Sequence, residues 1–126
     1  MRTLCAAVLA FLAAVGVSGC ASTPQEIKET GTRTEHALKL SPAQAAGCLS
    51  RNADEFVDSL SSTVRALPAP NQHEVIVRIS TGMGLRTLFV MEVVPEGTGS
   101  HMTMWAYQRL MQSREDEFRA VVVKGC

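Results

Sequence analysis

The sequence predicts an α+β domain built as a two-layer sandwich, with elements in the order α-β-β-β-β-α over residues 41–126. Apolar and polar residues alternate in four segments between residues 61 and 107, which is the period of half-buried strands. A segment with apolar residues three or four apart lies on each side of them, as in amphipathic helices. Because the connections are short, we expect an antiparallel meander of about four strands with both helices on one face.

The first nineteen residues have the layout of an export signal that is cleaved from the chain. Arg2 supplies a positive start, residues 4–17 are an uninterrupted run of apolar and small residues, and two small residues follow. This run is shorter than the roughly 20 apolar residues that span a bilayer. An ordinary secretory signal, cleaved near Ala21 or Ser22, is the alternative to the interpretation that follows.

The end of this segment, Val17-Ser18-Gly19-Cys20, resembles the lipobox of bacterial lipoproteins, with Val17 in place of the commoner leucine. The resemblance implies cleavage before Cys20. It also implies a covalent diacylglycerol and an N-acyl chain such as palmitate on that cysteine, and no other cofactor. Two or three acyl chains anchor a protein stably in a membrane. In a Gram-negative cell, Ala21 after the lipidated cysteine implies sorting to the outer membrane, on its periplasmic face.

Residues 20–40 are predicted to be the lipidated cysteine followed by a flexible tether. They are mostly polar, contain threonine, glycine and proline, and include few large apolar residues. A coil of this length has a root-mean-square reach on the order of 25 Å. His36 lies in this stretch, and we expect it to be solvated.

A helix is predicted from Pro42 to about Glu55. Ser41 suits the N-cap, Pro42 suits the first helical position, and Gln44 completes the sequence pattern of a capping box. The residues that recur on one face of this helix, and are therefore predicted to face the domain, are Ala45, Cys48, Leu49, Asn52, Ala53 and Phe56.

Four strands are predicted after this helix, at residues 61–67, 73–80, 86–94 and 100–107. Segments rich in proline, glycine and asparagine separate them and favour turns. The third strand is the most apolar and is expected to be central. In the fourth strand, Trp105 and Tyr107 fall on the same side. We expect that side to be the less covered face of the sheet and to form a surface for a partner or ligand.

The final helix is predicted from Gln108 to about Lys124. Its apolar residues recur at helical spacing, although three consecutive valines near its end favour a strand locally. The consecutive acidic residues 115–117 are interpreted as a solvated face, because neighbouring helical side chains point in different directions.

The chain has four cysteines, of which two remain if Cys5 leaves with the signal and Cys20 is acylated. Export places the remainder in an oxidising compartment, where such pairs usually form disulfides, so we predict a Cys48–Cys126 bond. A reactive or metal-binding thiol is the alternative. The mature part is also similar in layout to small envelope lipoproteins of proteobacteria, and that resemblance brings no activity. It covers Ser41, Pro42, Cys48 and Cys126.

Charge excludes one class of partner. The chain carries 12 basic and 12 acidic side chains, and loss of Arg2 with the signal leaves a balance of about −1. This balance lacks the excess of basic residues that is typical of nucleic-acid-binding proteins, and the sequence has no polybasic patch for anionic lipid.

Few residues carry a recognisable chemistry. Ser100, His101 and Glu92 could be assembled into a catalytic set, but no nucleophile motif accompanies them. Met102 and Met104 flank a position two residues after His101 and suggest a soft metal such as Cu(I), together with Met83, Met91 and Met111. Methionine nevertheless more often fills an apolar core. The glycine pair in residues 82–84 lacks the remainder of a P-loop and favours a hairpin turn.

The sequence therefore predicts a lipid-anchored periplasmic domain with a structural or interaction role in the cell envelope. We expect no enzymatic activity and no metal site. The membrane is its expected partner through the lipid, together with an envelope protein that contacts the surface of Trp105 and Tyr107. The alternative is a periplasmic lipoprotein that binds a small ligand or copper.

Overall fold

The computed structural model describes residues 23–110 and 112–126. The elements in chain order are α1 (Pro24–Thr30), β1 (Thr32–Leu38), α2 (Pro42–Phe56), β2 (Leu60–Ala66), β3 (His73–Thr81), β4 (Gly84–Glu96), β5 (Gly99–Ala106) and α3 (Gln112–Val122). The predictions for the signal peptide and for Cys20 concern residues outside the described part of the chain.

The five strands form one antiparallel sheet in the order β1-β5-β4-β3-β2. The class is therefore as predicted, a mixture of helices with an antiparallel sheet. The four predicted strands correspond to β2 through β5, with ends shifted by one or two residues. The number of strands and the arrangement of the helices were predicted wrongly, because β1 adds a fifth strand beside β5 and α1 adds a third helix.

Most of the predicted tether is folded, since residues 24–38 form α1 and β1. Thr23 caps α1: its hydroxyl accepts a hydrogen bond from the Glu26 backbone N–H at 3.2 Å, and the Glu26 carboxylate accepts one from the Thr23 N–H at 3.2 Å. This reciprocal capping box, with Pro24 at the first helical position, fixes the start of the helix. The chain then turns at Gly31 into β1, which pairs with β5 along its whole length.

The sheet separates the helices into two layers. On one face, α2 and α3 cover an apolar core formed by alternate strand residues. On the other face, α1 lies against β4 and β5 and buries Ile27. The domain thus has three layers where two were predicted. The largest buried side chains of the core under α2 and α3 are Leu49, Val75, Val77, Phe89, Met91, Val93, Met102, Met104, Phe118 and Val122.

Two local details differ from regular geometry. The predicted capping box of α2 does not form: the Ser41 hydroxyl donates to the Gln44 side-chain oxygen at 3.2 Å, and no backbone N–H is capped by its side chain. In the sheet, the pairing of β3 with β4 shifts between Val77 and Arg78. This bulge leaves Leu88 and Phe89, which are neighbours in sequence, both in the core.

Candidate functional site

The two aromatic residues predicted to share a surface lie in different places. Trp105 faces the α1 side of the sheet, where the Lys28 ammonium lies 5.7 Å from the centre of its ring. Tyr107 follows the last residue of β5, packs against the core, and has the Arg86 guanidinium 5.8 Å from its ring. The strand ends between them, so the alternation that would have placed both side chains on one face does not continue.

A cluster of four charged side chains holds α1 on the sheet beside Trp105. We call Lys28, Arg65, Glu74 and Glu92 the charged cluster. Glu74 is fully buried, and its carboxylate accepts hydrogen bonds from Lys28 Nζ at 2.5 Å and Arg65 Nε at 2.7 Å. Lys28 Nζ also donates to Glu92. Arg65 and Glu74 lie directly opposite each other on β2 and β3, and so do Glu74 and Glu92 on β3 and β4.

The neighbouring carboxylates set the protonation state of Lys28. Burial by itself lowers the pKa of Lys28, but the hydrogen bonds and negative charges of Glu74 and Glu92 outweigh burial, and the pKa lies above its ordinary value of 10.5. Lys28 is therefore a permanent cation at neutral pH. A buried carboxylate is stable only when it is paired and hydrogen-bonded. The paired charges of the cluster therefore hold α1 against β3 and β4.

The residues considered for nucleophilic catalysis are not brought together. The Ser100 hydroxyl is buried and donates to the Leu40 carbonyl at 2.8 Å. His101 lies between the carboxylates of Glu35 and Glu96, at 3.2 and 3.1 Å. Glu92 is bound by Lys28. Since Ser100 and His101 are consecutive in β5, their side chains point to opposite faces of the sheet.

His36 was predicted to be a solvated tether residue, but it is a half-buried residue of β1. Its Nε2 atom is buried and has no hydrogen-bond partner among the described residues. Burial, together with electrostatic interaction with Arg119 and His101, lowers the pKa of His36 below its ordinary value. The ring borders an open cavity of about 420 Å³, whose wall is completed by the end of β1 and by the chain end at Cys126. At neutral pH this cavity therefore presents a neutral imidazole.

The predicted cysteine pair is brought together, with the sulfur atoms of Cys48 and Cys126 2.01 Å apart. The pair joins α2 to the residues that follow α3. Asn52, one turn after Cys48, reinforces the junction because its amide donates to the carbonyls of Val122 at 2.8 Å and Lys124 at 2.9 Å. The end of the chain is thereby held against α2 and the end of β1.

The side chains considered for metal binding are scattered. Met91, Met102 and Met104 are fully buried in the core, Met83 is 92% exposed between β3 and β4, and Met111 lies outside the described residues. Among the described residues, no group of three or more histidine, cysteine or acidic side chains is placed to hold a metal ion.

The acidic run of α3 is only partly the solvated face that was predicted. Asp116 and Glu117 are exposed, but Glu115 is buried and binds the Arg119 guanidinium at 2.6 Å. Glu115 is therefore paired within α3 and does not belong to an open carboxylate cluster.

A small apolar crevice of about 140 Å³ opens between the end of α2 and the start of α3. Its walls are almost entirely carbon, and Arg114 is the charged side chain beside it. The other lining residues are Phe56, Val57, Leu60, Ile79, Leu88, Phe89, Leu110 and Phe118.

Neither a known protein family nor a curated protein matches the sequence of this chain. In the described part of the chain, none of the helices has the length and apolar character that crossing a membrane requires.

The sequence alone does not reveal the charged cluster, although it contains one signal for it. Thr23, Pro24 and Glu26 form the same start pattern that was used to place α2, and they would have placed Lys28 on a helix. The partners of Lys28 could not have been found in this way, because Glu74 and Glu92 come together only through the strand register.

Proposed function

We propose that this chain is a lipid-anchored domain of the bacterial cell envelope that acts by binding and not by catalysis. The observation that carries the proposal is the N-terminal sequence, in which a charged start and an apolar run end in the lipobox-like Val17-Ser18-Gly19-Cys20. With Ala21 next, the proposed location in a Gram-negative cell is the periplasmic face of the outer membrane. A cysteine pair at bonding distance supports an oxidising compartment.

The start of the folded domain limits how far it can lie from such an anchor. Three peptide units separate Cys20 from Thr23, the N-cap of α1. Consecutive Cα atoms are about 3.8 Å apart, so the span is at most roughly 11 Å. The proposed domain therefore lies directly against the lipid headgroups and does not move on a long tether.

The proposal of a binding role rests on how the polar side chains are used. Ser100, His101 and Glu92 each have a different structural partner. The buried Glu74 is neutralised by two cations within the fold. The main-chain groups along β1, by contrast, are available at the surface, and backbone pairing is a common way for sheets to bind other chains.

Acylation is tested with the full chain expressed in a Gram-negative host and labelled with an alkyne analogue of palmitate. We expect labelling of the parent chain and of Cys5→Ser, and no labelling or signal cleavage of Cys20→Ser. Ala21→Asp should shift the labelled protein toward the inner membrane in fractionated envelopes. Labelling that persists in Cys20→Ser would show that the anchor is assigned to the wrong residue.

The second candidate, small-ligand binding, is favoured by the cavity beside His36 and its unpartnered Nε2 atom. A neutral imidazole in an open cavity is also a ligand for copper. Native mass spectrometry of the processed protein in detergent, before and after addition of Cu(I), tests both forms of this candidate. An added mass that is lost in His36→Asn would favour it. A single unchanged apo mass in both proteins would exclude it.

A further inference from the structure

The two edges of the sheet differ in how many of their outward main-chain groups are already hydrogen-bonded. At β2, the first half of the edge is covered by α2: the Leu60 N–H donates to the Val57 carbonyl at 3.1 Å, and the Ser62 N–H donates to the Asp54 carboxylate at 2.7 Å. Capping of this kind prevents another strand from pairing there. Among the described residues, outward N–H groups without such a partner begin further along β2, around Val64.

The edge at β1 is open over most of its length. The Tyr107 N–H donates to the Leu88 carbonyl at 2.8 Å, which places odd-numbered β5 residues in hydrogen-bonded pairs with β4 and even-numbered ones in pairs with β1. The N–H and C=O groups of Arg33, Glu35 and Ala37 must then point away from the sheet. No described residue hydrogen-bonds to them, and the open stretch ends at Lys39, whose N–H donates to the Cys126 carbonyl at 3.1 Å.

The side chains on this edge are complementary to those of an identical strand. Arg33 and Glu35 lie on the same face of β1, 56% and 47% exposed, and are joined by an ion pair of 2.9 Å. In an antiparallel pair of β1 strands centred on Thr34, Arg33 of each copy lies opposite Glu35 of the other. Opposite charges directly across a strand pair stabilise the pair. Centring on Glu35 would instead place two carboxylates opposite each other.

We propose that two copies of this chain pair through β1 in the register centred on Thr34, so that two five-stranded sheets become one of ten strands. Antiparallel pairing keeps residues that lie opposite each other on the same face. Both α1 helices therefore lie on one side of the joined sheet. If the proposed acylation of Cys20 holds, both anchors enter the same membrane, where confinement raises the effective concentration of the copies.

The register is tested by disulfide crosslinking of the full chain in membranes. Residues at the centre of the pair form a non-hydrogen-bonded pair with Cα atoms about 4.5 Å apart, within the range for a disulfide. Thr34→Cys should therefore give a covalent dimer under mild oxidation. His36→Cys, on the same face two residues along, is the matched control. Its two copies would be about 13 Å apart and should not crosslink.

Charge reversal tests the same pairing on exposed residues. In the Thr34→Cys background, Arg33→Glu should reduce the dimer yield roughly five-fold or more, because like charges then face each other twice. Adding Glu35→Arg should restore the yield. The parent chain is the blank, and acylation is scored separately by mass spectrometry. If dimers form in a protein that is not acylated, the pairing through β1 stands and the proposed lipid anchor on Cys20 is wrong.

Three results would overturn the pairing. One is no dimer from Thr34→Cys in a folded, acylated protein. Another is a dimer from His36→Cys at equal yield. The third is a crosslink of Thr34→Cys to a protein of different mass, which would show that the edge receives another partner.

Discussion

Replacing Lys28 with methionine removes one of the two cations that neutralise the buried Glu74. The methionine keeps most of the length and the apolar stem of the lysine, so packing over Trp105 changes little. Glu74 has no exposed surface, and its carboxylate accepts hydrogen bonds from Lys28 Nζ at 2.5 Å and from Arg65 Nε at 2.7 Å. After the substitution, one carboxylate oxygen has lost its charged partner.

The expected loss of folding stability in Lys28→Met depends on how much of the charge pairing around Glu74 is lost. Breaking a fully buried ion pair costs about 3–5 kcal/mol. Here Arg65 remains, and Lys28 is one-fifth exposed, so water can reach part of the site. We therefore expect a loss near that of one charged hydrogen bond, about 2 kcal/mol. Lys124→Met, at an exposed position near the chain end, is the control and should change stability by less than about 0.5 kcal/mol.

The assay is urea unfolding at pH 8, followed by far-UV circular dichroism and by the fluorescence of Trp105, the single tryptophan of the chain. In a Glu74→Gln background, the cost of Lys28→Met should fall by at least about 1 kcal/mol, because a neutral amide needs no cation. An equal cost in both backgrounds would refute the reasoning that Lys28 stabilises the fold through the Glu74 charge.

Alkaline pH provides a second check on the same variant. The folded pKa of Lys28 is raised above 10.5, so its contribution is complete below the unfolded value of 10.5 and is lost as the pH rises through the folded value. The difference in stability between the parent chain and Lys28→Met should therefore shrink above pH 10.5. A difference that grows in that range would contradict the assignment.

Three further predictions concern other parts of the fold. Cys48→Ser removes a crosslink to Cys126 across 78 residues and should lower the free energy of unfolding by about 4.5 kcal/mol in the loop-entropy estimate, measured by urea unfolding. The parent chain in reductant should behave in the same way. His36 has a lowered pKa, so its contribution to stability is complete above pH 6.5 and is lost as the pH falls through its folded value. His36→Gln should therefore flatten this acid dependence in thermal melts. Gly31→Ala and Gly47→Ala should change the free energy of unfolding in opposite directions. A Cβ at Gly31 would meet two backbone oxygens at 2.5 Å, which costs about 1–3 kcal/mol, whereas at Gly47, inside a helix, it meets nothing and should stabilise by up to about 1 kcal/mol. Equal effects of the two alanines would contradict the close approach at Gly31.

The elements that could be predicted are those whose own residues carry a period. Strands β2 to β5 alternate apolar and polar residues, and α2 begins where Pro42 fits only the first turn. β1 escaped detection because it is an edge strand, with polar residues on both faces and a single buried side chain, Leu38. Its pairing with β5, and not its composition, makes it a strand.

The surface of Trp105 and Tyr107 could not be predicted from alternation, because its position depends on tertiary contacts. α1 places Lys28 over Trp105, and the strand ends before Tyr107. Alternation along β3 can place Glu74 on one face of the strand, but it does not show whether that side chain is buried. Only the three-strand register brings Arg65, Glu74 and Glu92 under one lysine.

The cap that Asp54 and Val57 place on β2 has a consequence for the size of any assembly. A sheet with two open edges can add strands from both sides and grow without limit into a fibre. In the described part of this chain, the long open edge belongs to β1. Once two copies have paired through β1, neither copy has a second long open edge to offer. Assembly of this kind closes at two copies. Asp54→Ala would uncover the Ser62 N–H at the other edge, and we expect it to convert a finite pair into a chain capable of longer aggregates.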